Sequence, residues 1–434
     1  MFGRHANLVI AKPMNVLGFS LHRIRQGLLT TGQWCAAATL FAAPINKPAL
    51  NILLGLSLIF SILGTDCRLR WRTALREPVV IGFLIWFAVL LASALNAWLS
   101  HNSNTFGESF LWSCTYPAII ASLLVDSRWR WRALAIFAAA TALVVLASYC
   151  MQLGLMPQRA IADAVPSMRN TVFKEYTQQG LSSLVLCGMV ISLAASLGKG
   201  WARTLLLWLA LLILCNVLFI IKSRTTYLVL PPLIAYWAYR MLRRHLDGWR
   251  VALMGTIITL SLVTVIWNVP PVHDRLAASI SSEFQRYVAT REPTSTGTRL
   301  WLWQHSLPII AEAPVFGHGL KQWATIYTEQ MQHTPGSAAF VAYGHPHQEE
   351  LQIMAEQGIV GLAIFLGLVV ALARHVGNLP EPQRDIYICL MLIYLTAGLA
   401  NGLWVDFTHR HIFLLLLACI PRRPPLPILK SNSA

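Results

Sequence analysis

Two histidines and two carboxylates crowd into His345-Pro346-His347-Gln348-Glu349-Glu350-Leu351, where a long polar stretch gives way to an apolar one. From Leu351 the apolar residues run through Ile364 to Ala373, which reads as the mouth of a membrane-spanning helix. Pro346 suits the first turn of that helix, because its missing N–H would be unpaired there anyway. A histidine in the same turn meets the positive end of the helix dipole, which disfavours imidazolium. A neutral, partly desolvated imidazole can take a proton, so His347 is the candidate general base. The competing reading is a hydrogen-bonded histidine at the membrane interface. His345 cannot share one helical face with His347, so the pair lacks the i,i+4 spacing of a zinc helix and no metal site is expected. Glu350 either orients the imidazole or complements the dipole. Gln348, Gln352 and Glu356 recur every fourth residue, a polar stripe that should face the bundle interior or a wet cavity.

Phosphate chemistry would need cations, and several basic residues are candidates. Arg224 closes one apolar run, Arg299 opens a helical stretch beside Trp301 and Trp303, and Arg159, Arg169 and Lys174 populate the segment 156–176. Guanidinium groups gathered at a membrane surface suit a diphosphate, since arginine offers a planar fork of donors matched to phosphate oxygens. The alternative is that each one snorkels to lipid phosphates.

The elements that must position these groups are apolar. Of 434 residues, 56% are hydrophobic and 12% charged, against about 25% charged in soluble domains; the mean hydropathy is +0.55. The net charge of +16 comes from 34 Lys and Arg against 18 Asp and Glu. Most of the bases stand in short clusters between apolar runs, so they control topology and do not indicate nucleic acid. The eight cysteines contain no CxxC and nearly all lie in apolar runs, which supports neither a disulfide framework nor a zinc site.

On the length needed to cross a bilayer, about twelve spans are expected. They fall near 27–45, 48–65, 77–99, 107–126, 133–155, 177–197, 203–221, 225–241, 250–269, 350–373, 385–404 and 408–420. If these alternate, the clusters at Arg68–Arg76, Arg128–Arg132, Lys199–Arg203, Arg240–Arg250, Arg374–Arg384 and Arg422–Arg423 all fall on one side. By the positive-inside rule that side is cytoplasmic, with both termini. The expected organisation is a cytoplasmic tail 1–26, transmembrane helices 1–9 over 27–269, a periplasmic subdomain 270–346, transmembrane helices 10–12 over 347–420 and a tail 421–434. Within 270–346, stretches 275–289 and 299–312 have helical periodicity, the first through Leu276, Ile280, Phe284 and Val288. Pro293–Gly297 reads as a break and Pro314–Gly319 as a turn.

The block His345-Pro346-His347-Gln348-Glu349-Glu350-Leu351, followed by Ala355-Glu356-Gln357-Gly358-Ile359-Val360-Gly361-Leu362, resembles the signature of the O-antigen ligase/polymerase superfamily. Lys222-Ser223-Arg224-Thr225 at a span end also matches. So does Thr298-Arg299-Leu300-Trp301-Leu302-Trp303 leading to Pro314-Val315-Phe316-Gly317-His318-Gly319.

The resemblance implies an all-α polytopic membrane glycosyltransferase of GT-C type, independent of metal and cofactor. It would move O-antigen from undecaprenyl diphosphate to lipid A–core at the periplasmic face of the bacterial inner membrane. In that chemistry His347 is the base for the acceptor hydroxyl, and a single in-line displacement inverts the anomeric centre. Arg224 and Arg299 hold the diphosphate, and His345, Lys174, Arg169 and Arg159 are weaker donor-site candidates. O-antigen polymerase and protein O-oligosaccharyltransferase are the alternatives within the superfamily. A transporter of lipid-linked sugars, which would need charges buried in mid-span, is the alternative outside it.

Overall fold

Small polar caps open several of the helices. Asn46, Asp126, Thr294 and Asp406 each accept a bond from a backbone N–H of the first turn they precede, satisfying groups the helix itself leaves unpaired. Prolines stand in the first turn of others, as at Pro48 and Pro78. The computed structural model describes residues 16–164, 168–341 and 343–420, and among them the secondary structure is helical, with no strand. The tail 421–434 and most of the tail 1–26 lie outside those residues.

In chain order the helices are α1 (Val16–Ala42), α2 (Lys47–Leu63), α3 (Cys67–Ala74), α4 (Pro78–His101), α5 (Ser109–Ser113), α6 (Tyr116–Leu123), α7 (Ser127–Gln152) and α8 (Ile161–Ala164). Then come α9 (Tyr176–Ser196), α10 (Trp201–Cys215, running into a π-helical turn Asn216–Ile221), α11 (Arg224–Leu242) and α12 (Trp249–Trp267). Next are α13 (Pro270–His273), a π-helical turn (Asp274–Ala278), α14 (Ser279–Thr290), α15 (Ser295–Glu312) and α16 (Gln322–His333). The chain continues through α17 (Glu349–Gly377), α18 (Gln383–Gly398) and α19 (Phe407–Ala418).

Each of the twelve apolar stretches read from the sequence coincides with helix. Among the described residues, six helices are by themselves long and apolar enough to cross a membrane: α4, α7, α9, α10 with its π turn, α12 and α17. A seventh span results if α2 and α3, bent by 120°, count as one. The chain is a polytopic membrane protein. α19 is short, and α11 carries Pro231 and Pro232 in its interior, where proline removes a helix bond and bends the chain.

Three of the arginines first read as loop charges are built into the fold. Arg70 donates to the carbonyls of Thr65, Ser122 and Ser61. Arg130, 1% exposed, pairs with Glu77 at 2.6 Å, and Arg240 pairs with Asp385 and Glu381.

The segment 270–346 forms helices with a core of their own. Trp301 stacks on Phe340 at 4.5 Å and Trp323 on Tyr327 at 4.6 Å. The break before α15 falls over 291–294, earlier than the sequence suggests, and Gly297 is already helical. A Cβ there would meet the Tyr287 side chain at 2.6 Å, so the glycine admits the tyrosine that anchors α14. The apolar stripe of α14 is not its buried face: Ile280, Phe284 and Val288 are exposed, and Tyr287 is buried.

The sharpest feature lies where α17 is interrupted. Gly358 is non-helical (φ 66°, ψ −167°), a region open essentially only to glycine. There the turn after α15 runs against it: His318 N donates to Ala355 O, Gly319 N to Glu356 O, and Ile359 N to Pro314 O. Sequence blocks 314–319 and 355–362 are thus one backbone interlock. It fixes the cap of α15 and α16 to the start of α17.

Candidate active site

A cavity of about 450 Å³ opens where α9, α15, α17 and α19 begin; His345, His347, Arg299, Tyr176, Asp406 and His409 are among its lining residues. His347 does not lie in a helical turn, contrary to the sequence reading. α17 starts at Glu349, and its N-cap is Gln348, whose side chain accepts from Leu351 N at 2.5 Å. His347 precedes the cap with φ +54°, a left-handed conformation uncommon for residues other than glycine. Glutamine took the capping place because its amide oxygen reaches the first-turn N–H, and the chain must reverse just before it.

The neutral imidazole expected from the helix dipole has a different main cause. Burial, then the neighbouring His345 and Arg299, push the His347 pKa down to about 3. His345 is held below its ordinary value by burial as well, against the pull of Asp406. The two rings meet edge-on at 4.2 Å, although no helix brings them together. His345 Nδ1 accepts from His347 N at 3.2 Å, so in its neutral form His345 carries its proton on Nε2. Its ring lies over Gly402, where a Cβ would stand 2.9 Å from Nδ1.

The carboxylates of this stretch turn away from the imidazole. Glu350 accepts from Gln348 Nε2 at 2.6 Å, and buried Glu349 accepts from Trp404 N at 3.0 Å. Gln352 and Glu356 are buried and bonded to each other, so that part of the polar stripe faces the interior, as its spacing predicts.

Arg299 stands on the first turns of α15 and lines this cavity. Its Nη1 donates to Ser295 Oγ at 3.2 Å, while its buried Nε has no partner. A second cavity, of about 250 Å³, is lined by both Arg299 and Arg224. A third, about 240 Å³, continues from Arg224 between apolar residues of α11 and α12, including Pro231, Ile234, Val263 and Ile266.

Arg224 is presented by a helix break: after the π turn, Lys222 is left-handed (φ 52°), Ser223 is extended and Arg224 begins α11. Its guanidinium is fully engaged. Nε donates to Arg275 O at 3.2 Å, Nη2 to Ser279 Oγ at 2.6 Å, and Nη1 and Nη2 to the two oxygens of Glu283 at 2.9 and 2.5 Å. Burial alone would raise the Glu283 carboxyl, but Arg224 and Thr296 hold it down at about 2.

Of the other basic candidates, Arg159 donates to Lys174 O at 3.0 Å and Arg169 is exposed. Lys174 is buried, and burial together with Lys47 lowers its pKa to about 8. None of the three lines the cavities that hold His347, Arg299 and Arg224.

The sequence reading missed the opposite wall. Gln178 donates to Asp406 Oδ2 at 2.6 Å, and Asp406 Oδ1 caps α19 through His409 N. Although burial opposes it, His409 and these hydrogen bonds hold the Asp406 carboxyl low. His409 is 3% exposed, and its Nδ1 has no partner. The available signal was Thr408-His409-Arg410-His411, a polar run at the head of an apolar helix. Among the described residues, no three His, Cys, Asp or Glu side chains are arranged to hold a metal ion.

Comparison with known proteins meets the same residues. The family profile described as "O-Antigen ligase" matches residues 209–366. Proteins named "Putative polysaccharide ligase" from Rickettsia conorii and Rickettsia felis are 27% and 25% identical to this chain over 177 residues. Those alignments take in 40% of this chain and 42% of each relative. The Rickettsia typhi protein of that name is 29% identical over 152 residues, 34% of this chain and 36% of its own. The matched stretch thus spans about two-fifths of the relatives' length. The stretch of the chain that resembles the O-antigen ligase family, residues 209–366, is the one that carries Arg224, Arg299 and His347.

Proposed function

We propose that the protein is an O-antigen ligase. It would transfer O-antigen polysaccharide from undecaprenyl diphosphate to a sugar hydroxyl of lipid A–core, by metal-independent, inverting glycosyl transfer. The observation that carries this reading is the shared wall. His347 and Arg299 line one cavity, and Arg299 and Arg224 line the next.

In this mechanism His347 takes the proton of the acceptor hydroxyl as its oxygen attacks the anomeric carbon. The bond from that carbon to the diphosphate breaks, and the electron pair leaves with the diphosphate. That leaving group is a stable anion, so it needs fixed cations rather than an acid. Arg299 has donor capacity to spare, and Arg224 stands beside it; His345 keeps the loop of His347 in shape. The isoprenoid chain would run from the diphosphate into the apolar cavity between α11 and α12. Lys174, Arg159 and Arg169 are left for phosphates further out on donor or acceptor.

The same reading assigns GT-C architecture, with twelve spans over 27–269 and 347–420 and a periplasmic cap over 270–346. Both termini face the cytoplasm of an inner-membrane protein, and the cavity opens to the periplasm. In support, contacts of Arg70, Arg130 and Arg240 join loops expected on the cytoplasmic side. Contacts of Gln178, Arg224 and Asn401 join segments expected on the other.

The test is transfer by purified protein from polyprenyl-diphosphate-linked glycan to lipid A–core, with and without chelator. Glycan on lipid A–core, undiminished by chelator, is expected. Longer donor-linked glycan with unmodified lipid A–core would make the protein a polymerase instead, and loss of transfer with chelator would refute metal independence.

A further inference from the structure

Arg224 and Arg299 sit on different helices, α11 and α15, and their use as a pair depends on how those helices are held together. Arg224 Nη1 donates directly to Thr296 Oγ1 of α15 at 3.3 Å, and one carboxylate bridges the same two residues. Glu283, on α14, receives both Nη groups of Arg224. The same carboxylate accepts Thr296 N at 2.9 Å and Thr296 Oγ1 at 2.8 Å. Thr296 lies in the first turn of α15, three residues before Arg299, so it shares that residue's side of the helix. The backbone carbonyl of Glu283 also accepts from Thr294 Oγ1 at 3.2 Å, the residue that caps α15.

Glu283 itself lines none of the three cavities described. Its side chain is 12% exposed, as is that of Arg224. Paired charges at this depth hold a defined geometry, because separating them leaves a desolvated charge without a partner. A carboxylate that anchors one guanidinium and the N-terminal turn bearing the other fixes the distance between them.

We propose that Glu283 is a positioning residue for donor recognition: it sets the separation of Arg224 and Arg299, and so the fit of the diphosphate. This rests on the assignment of those two arginines to the donor diphosphate. Glu283 touches no substrate; it acts through the arginines. Its loss should therefore weaken donor use while leaving acceptor use alone. A merely structural role would lower the amount of folded protein and leave both KM values in place.

The experiment measures transfer kinetics of Glu283→Gln and Glu283→Ala in detergent-purified full-length protein. Polyprenyl-diphosphate glycan and lipid A–core are varied separately, and thermal unfolding is recorded in parallel. The expected result is a donor KM raised about tenfold to a hundredfold in the alanine variant, the range a misplaced binding group costs. The rise should be smaller in the glutamine variant, which keeps an acceptor for Thr296 but loses the charge, and the acceptor KM should be unchanged in both. A donor KM within twofold of wild type in both variants would overturn the proposal. So would a lowered donor KM, which would mean that Glu283 competes with the diphosphate for Arg224. If wild-type protein itself shows no transfer from any polyprenyl diphosphate, the functional reading fails and the donor-positioning role of Glu283 falls with it, an outcome distinct from one in which only the variants behave as wild type.

Discussion

Gly358 lies against the backbone of Val315 so closely that a Cβ at 358 would stand 2.3 Å from the Val315 carbonyl carbon and oxygen. From the other side, a Cβ at Gly317 would stand 2.4 Å from the carbonyl carbon of Glu356. Both glycines also have positive φ. They let two chain segments share backbone hydrogen bonds at the break in α17.

Gly358→Ala should therefore be severe. The Cβ meets backbone, which cannot rotate aside, and the φ, ψ pair is strained for alanine by about 1–3 kcal/mol before any clash. Loss of folded protein in detergent, or a clear fall in the unfolding temperature, is expected. A variant of wild-type stability would mean that the interlock carries little of the fold.

Gly402→Ala tests a subtler fit. Its Cβ would press on His345 Nδ1, the atom that accepts from His347 N. The ring must shift, and the loop that holds His347 shifts with it. A kcat lowered about tenfold or more, with donor KM and unfolding temperature near wild type, is the expected outcome. Steady-state kinetics with both substrates check it.

The two arginines should separate in stability measurements. Arg224→Ala strands Glu283 and is expected to cost about 3 kcal/mol, partly restored when Glu283→Ala is added. Arg299→Ala breaks no ion pair and should leave the unfolding temperature nearly unchanged while impairing transfer. Thermal unfolding of the three single variants and the Arg224→Ala, Glu283→Ala double variant reads this directly.

The pH dependence follows from the charge state of His347. Its pKa lies near 3, below the ordinary histidine value of 6.5, so the free base is available throughout the neutral range. Transfer should hold level as pH falls from 7 to 5, with no acid limb near 6.5. The stability sign is the same. A histidine that folding keeps neutral contributes fully above about 6.5, and that contribution is lost progressively toward 3. A pH–rate profile of kcat/KM for the acceptor, with an acid limb near 6.5, would contradict the buried neutral imidazole.

Much of this was legible in the sequence, and the gaps have physical causes. Each apolar stretch became a helix because burying or lipid-facing side chains at helical spacing is a local property. Arg224, Arg299 and His347 could be singled out because polar residues at the ends of apolar helices need a reason to be there. The first turn of α17 was misplaced because proline suits a helix start but does not compel one, and Gln348 N-caps the helix two residues later. Glu283 and Asp406 were invisible. Nothing in the chain near them announces partners 59 residues back at Arg224, or 228 back at Gln178; only the folded bundle does. The spacing of Leu276, Ile280, Phe284 and Val288 predicts a helix but not which side of it is buried, since periodicity alone cannot tell a core from lipid.

The most direct test of the whole account is single-turnover transfer by purified His347→Ala, with donor binding measured on the same sample. With the base removed and the arginines untouched, transfer to lipid A–core should fall at least about a hundredfold while polyprenyl-diphosphate glycan still binds with wild-type affinity. Transfer at the wild-type rate would contradict the account, because the imidazole that lines the cavity beside Arg299 would then have no part in the chemistry.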